Sequence, residues 1–114
     1  MSRFFESEIV RKEMKDLYEL QERLQRIFIS LPMLSTEEKV EFLSLVKLLI
    51  EKQEIMYYRM KLSDDSESQE MIEHIRQSAI SLGISPTKTL DVMFKEMKVS
   101  VDTILEKINT GKSL

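Results

Sequence analysis

The chain has 114 residues, with 42% apolar and 32% charged side chains and 17 basic against 20 acidic groups, which is enough for one ordinary domain. Two glycines and two prolines leave few places for sharp turns or left-handed backbone, and this argues for long helices over a strand-rich fold. The absence of cysteine excludes disulfides, thiolate nucleophiles and cysteine–zinc knuckles, and a single histidine, His74, excludes any site needing two imidazoles.

The apolar pattern predicts four helices, at about 7–31, 36–62, 68–82 and 86–109, in a single helical domain over residues 1–114. In the first, Val10, Leu17, Leu24 and Leu31 recur every seven residues, with Leu20 and Ile27 interleaved, the a/d stripe of a helix that packs along one side. Glu8–Lys12, Glu19–Arg23 and Glu22–Arg26 place an acid four residues before a base on the other side. Pro32 removes a backbone donor and ends the element. Ahead of this helix, Phe4 and Phe5 read either as a hydrophobic staple or as an exposed docking tag.

Ser35-Thr36-Glu37-Glu38 reads as a capping box opening the second helix. That helix is apolar over most of its girth, from Val40 through Leu45, Leu49 and Ile55 to Met60. It therefore either sits at the centre of the monomer or turns one face to a second copy. A homodimer through this helix is the expectation, with Leu45 and Leu49 belonging either to its seam or to the core. Met56-Tyr57-Tyr58-Arg59-Met60 groups residue types enriched at protein interfaces. Tyr57 and Tyr58 project about 100° apart on a helix, so either one of them reaches the rim or both cap the end of the bundle core.

The polar run Ser63-Asp64-Asp65-Ser66-Glu67-Ser68 reads as a solvated linker. The third helix follows, with Met71, Ile72, Ile75, Ala79 and Leu82 on one side and Gly83 as its C-terminal cap. Ser85-Pro86 reads as an N-cap with proline at the first helical position, starting a fourth helix that carries Leu90, Met93, Phe94, Met97, Val101, Ile104, Leu105 and Ile108. The fold class is accordingly all-α, a four-helix bundle built on a long antiparallel hairpin of the first two helices.

Phe4-Phe5-Glu6-Ser7-Glu8-Ile9-Val10, Arg59-Met60-Lys61-Leu62-Ser63-Asp64-Asp65 and Gly83-Ile84-Ser85-Pro86 with the later Met93-Phe94 and Met97 together resemble the cyanobacterial and cyanophage domain-of-unknown-function family numbered 1825. The resemblance spans about the whole chain. It implies a small all-α protein without an assigned catalytic activity, and it supplies no site residues. Residues 28–34 are more apolar here than in the family pattern.

Charge is unevenly placed. Residues 1–62 balance, residues 63–85 carry five acids against Arg76, and residues 86–114 hold five lysines against four acids. No basic block exists of the kind that phosphate binding requires. A nucleic-acid-associated dimeric regulator remains the alternative, through a partial stripe of Arg11, Lys12, Lys15, Arg23 and Arg26. The longest strongly apolar stretch, residues 42–50, is interrupted by Ser44 and Lys47 and is too short for a bilayer. The N-terminal residues have no secretory pattern. The expected location is cytoplasmic, without membrane insertion.

No constellation for catalysis emerges. A di-iron site wants Glu-x-x-His pairs on two helices, and Met71 stands three before His74. Asp64-Asp65-Ser66-Glu67 lacks the alternating acids and central glycine of a calcium loop. No serine lies in a Gly-x-Ser-x-Gly setting, and the two glycines are too far apart for a phosphate loop. The expectation is a non-catalytic interaction module, without metal or cofactor, that binds a protein partner through Phe4, Phe5, Tyr57, Tyr58 and Arg59. Eight methionines raise the further reading of an adaptable groove, but Met14, Met71, Met93 and Met97 sit on helical stripes, so most read as core fill.

Overall fold

The computed structural model describes residues 3–81, 83 and 85–111. Five α-helices and one short 3-10 turn carry these residues, and they include no strand. The helices are α1 (Arg3–Glu6), α2 (Glu8–Ile29), α3 (Thr36–Leu62), α4 (Ser66–Ser81) and α5 (Leu90–Asn109), with the 3-10 turn at Leu31–Met33. The additional helix is the Phe4–Phe5 segment, which closes one turn of its own before Ser7, in extended backbone, breaks it from α2.

The end of α2 and the start of α3 follow from local chemistry. Pro32 occupies the first turn of the 3-10 element and forces the chain out of α2. Ser35 Oγ then accepts from the Glu38 N–H at 3.2 Å, and the Glu38 carboxylate accepts from the Ser35 N–H at 3.1 Å. That reciprocal box satisfies two of the donors that a helix start leaves unpaired.

Helix α3 is the centre of the molecule. Near its start Phe42 packs with Leu20 and Leu24 of α2, and near its end Met56 and Met60 pack with Val10, so the two helices run in opposite senses. On another side Ile50 and Tyr57 pack with Leu90, Phe94 and Val101 of α5. Two sides of the apolar girth of α3 are thus used within one chain, while Leu48, Ile55 and Leu62 stay exposed. Of the two places open to Leu45 and Leu49, seam or core, both take the core, packed against the α2-facing cluster. Lys47–Asp102 and Lys98–Glu54, each at 2.8 Å, and Lys61–Asp91 at 3.3 Å tie α3 to α5 along its length.

One expectation changes at the C-terminal half. Ser85 does not open a helix: its carbonyl accepts from the Lys88 N–H and its hydroxyl from the Thr87 N–H, making a closed turn around Pro86. Helix α5 begins at Leu90, where Thr89 Oγ1 accepts from the Val92 N–H at 3.2 Å. Two N-cap residues four apart compete, and the turn-forming Ser-Pro pair yields to the threonine that directly precedes the apolar stripe. Gly83 has φ of 100° and caps α4 by donating to the Ile80 carbonyl, a backbone setting that glycine adopts without a Cβ penalty. Leu82, assigned to the third helix from sequence, lies outside the described residues.

The linker between α3 and α4 is a built corner. Ser68 is fully buried, with 0% of its surface exposed; its hydroxyl donates to the Asp65 carbonyl at 2.8 Å and lies 3.4 Å from that of Met60. Gln69 Nε2 donates to the Met60 and Ser63 carbonyls. Asp65 Oδ1 accepts from the Glu67 N–H at the start of α4, and Asp65 Oδ2 accepts from the Phe4 N–H of α1 at 3.0 Å. One carboxylate thereby joins segments 61 residues apart.

The body measures 49 × 32 × 20 Å with a radius of gyration of 16.1 Å, against about 13 Å for a compact chain of roughly 100 residues. It is a slab with room between its helices.

Candidate functional site

That room is a cleft of about 530 Å³ whose walls come from α2, α3, α4 and α5, with Phe5 of α1 at one end. Each wall contributes apolar side chains at helical spacing: Met14 and Leu17 from α2, Met56, Tyr57 and Met60 from α3, Met71, Ile75 and Ala79 from α4, and Met93, Phe94 and Met97 from α5. Six of the eight methionines meet here. The lining includes no Asp, Glu, Lys or Arg; its polar members are Tyr18, Gln21, Gln53, His74 and Ser78.

Helix α4 makes the cleft possible. Its N-terminal end is fixed by the Ser68, Gln69 and Asp65 bonds, while Ser68 is its one buried residue among those described. Its apolar side, Met71, Ile72, Ile75 and Ala79, is at most partly buried. A helix anchored by polar bonds at one end and leaning on few apolar contacts leaves a gap that a tighter core would close. A second hollow adjoins the first, sharing Phe5, Met14, Met71 and His74 and adding Glu67 and Glu70.

The five residues expected to bind a partner are dispersed. Phe4 and Phe5, edge to face at 4.9 Å, are partly buried on the Val10, Met56 and Met60 cluster, which is the staple rather than the exposed tag. Tyr57 is 7% exposed and lies in the cleft wall, 5.6 Å from the Phe94 ring, while Tyr58, its ring 5.5 Å from that of Tyr57, is 42% exposed and lies outside the cleft lining. Hydrogen bonding to the Asp91 carboxylate, together with partial desolvation, pushes the Tyr58 phenol above its ordinary pKa. Arg59 Nε sits 2.9 Å from the Glu13 carboxylate of α2, so its charge is engaged within the chain. The cleft unites Phe5 and Tyr57 and leaves Phe4, Tyr58 and Arg59 outside its lining.

The methionines are what the aromatic cluster obscured in sequence. Their number was the available signal, and their convergence from four helices is not legible along any one of them. The basic side chains of α2 are partly engaged: Arg26 pairs with Glu22 at 2.9 Å, Lys15 with Glu19 at 3.9 Å, and Arg11 donates to the Phe5 carbonyl. Among the described residues no group of three His, Cys, Asp or Glu side chains converges as a metal site requires, and no helix is long and apolar enough to cross a membrane.

The family model described as a domain of unknown function, DUF1825, matches residues 2–108. The chain belongs to the DUF1825 family. The match takes in all the helices that form the cleft except the final residue of α5, so the cleft lies within the DUF1825 unit. No curated protein and no solved structure matches the chain.

Proposed function

We propose that this DUF1825 protein is a non-catalytic interaction module that takes a segment of a partner protein into the methionine-lined cleft and so assembles or modulates a cyanobacterial protein complex. The observation that carries this reading is the cleft itself: apolar walls from four helices, open to solvent, with six unbranched polarizable side chains that can repack around different apolar groups. The long helices work as one bundle built on the α2–α3 pair, and α4 is the wall that adjusts. The module is cytoplasmic in this reading.

A lysine at the cleft mouth tests it. Met71 is 38% exposed, so Met71→Lys places an ammonium at the entrance without emptying the core. Tagged wild-type and variant protein are used to capture partners from cyanobacterial lysate, with and without nuclease, and read by mass spectrometry. The expected result is a stoichiometric protein that survives nuclease and is lost with the variant, whose helical circular dichroism is unchanged. Equal capture by both proteins would place the contact elsewhere, and partners that vanish with nuclease would favour the nucleic-acid alternative.

The reading includes a homodimer through the outward side of α3. Leu48, Ile55 and Leu62 recur there every seven residues and are exposed, the spacing of a helix–helix seam. Light scattering over a concentration series checks it, and a monomeric mass throughout would remove the dimer while leaving the cleft reading intact.

A further inference from the structure

We infer that the occupant of the cleft is the apolar face of a basic amphipathic helix, an inference that rests on the interaction-module reading above. The walls contain no Asp, Glu, Lys or Arg, and an unpaired charge pressed against them would lose its hydration; the face that enters must therefore be apolar. From Met71 to Ala79 the cleft follows α4 for about 12 Å, two turns of a helix, which accommodates side chains at i, i+3 or i+4, and i+7 of an occupant.

The rim selects the occupant's charge. Residues 63–73 contain five acids and no base, and Glu67 and Glu70 line the hollow that continues the cleft past Met71 and His74. Neither makes an ion pair with a described residue. Lysines or arginines flanking an apolar face would meet these carboxylates at the solvent edge, where charge complementarity sets encounter rate and specificity. An acidic helix of the same apolar face would meet repulsion there.

The test uses the full chain and two synthetic amphipathic helices with the same leucine face and a single tryptophan, one with lysine and one with glutamate on the polar face. The protein has no tryptophan, so peptide fluorescence reports binding alone. Methyl resonances of ¹³C-methyl methionine report where it binds, and Met33, 89% exposed between α2 and α3 and outside the cleft lining, is the internal control. The lysine peptide is expected to shift the cleft methionines and leave Met33 unmoved, and the glutamate peptide to bind on the order of tenfold more weakly at low salt. Glu67→Lys combined with Glu70→Lys, both on exposed positions, is expected to reverse that order.

Equal binding of the two peptides through the same methyls would overturn the basic partner and leave the interaction module standing. Shifts confined to Met33 would overturn both by placing peptide on the α2–α3 connection. If neither peptide moves the cleft methyls but sodium oleate does, the cleft is a lipid site and both fall.

Discussion

Helices α3 and α4 are neighbours joined by a three-residue link, and opposite kinds of interaction hold them. Helix α3 buries Phe42, Ile50, Met56, Tyr57 and Met60 against α2 and α5, whereas the one buried residue of α4 is a serine. The first is held by apolar burial distributed along its length, each fully buried large side chain contributing about 1.5–3 kcal/mol. The second is held at its N-terminal end by directed bonds and along the rest by partly buried side chains, Ile72 and Ile75, set beside the cleft. The comparison teaches that this chain separates a structural spine from an adjustable wall, and that the candidate site lies where burial gives way to hydrogen bonding.

The largest expected effect comes from breaking the spine. Phe94, 5% exposed, packs on Tyr57 of α3 and also lines the cleft. Phe94→Ala removes a buried ring and leaves space the neighbours refill only in part, at a cost of about 3–5 kcal/mol. Urea denaturation is expected to show one cooperative transition shifted for the whole molecule. A change below about 1 kcal/mol would mean that the α3–α5 seam contributes little and that the contrast with α4 is misplaced.

A smaller effect, confined to the wall, separates the two helices more sharply. Ser68→Val removes the hydroxyl that bonds the partly buried Asp65 carbonyl, which keeps the Gln69 N–H, at a cost of about 1–1.5 kcal/mol. The loss is expected to show in hydrogen exchange, with amides of α4 opening faster while those of α3 keep their protection. Equal acceleration in both helices would show that corner and spine unfold as one unit.

The sequence made the spine legible and the wall only partly so, for physical reasons. Helices α2 and α3 carry their own signals, a seven-residue apolar stripe and a Ser35–Glu38 capping box, each acting within four residues or along one face. The all-helical class followed from those signals and the scarcity of glycine and proline. From sequence the corner reads as a solvated linker, because the Asp65 bond to the Phe4 N–H joins residues 61 apart and local pattern does not register such a partner. Helix α5 starts four residues after the position that Ser85-Pro86 indicates, because Ser85-Pro86 and Thr89 are both competent starts. Tyr57 and Tyr58 stand out by type, but their different burial depends on α5, which covers Tyr57 with Phe94 and meets Tyr58 at its edge through Asp91. The cleft had only a compositional trace, the eight methionines.

The smallest effect tests the spine from its far end, through the capping box that starts α3. Ser35→Ala is expected to cost about 1 kcal/mol in global urea unfolding. Glu38 adds a pH dependence whose sign is fixed by its bonds. The Ser35 backbone N–H, and then the Ser35 hydroxyl, hold the Glu38 carboxyl below its ordinary pKa of 4.5. A depressed carboxyl contributes stability that is present above its unfolded value and is lost as the pH falls through its folded value. Glu38→Gln keeps a side-chain acceptor for the Ser35 N–H but cannot titrate, so its stability is expected to fall less steeply than wild type below pH 4.5. The difference belongs to α3 and is expected in the global transition, with exchange in α4 following only as the whole molecule unfolds. Parallel acid limbs for the two proteins would show that the box holds the helix start by shape alone, and the spine would then owe nothing to charge at that end.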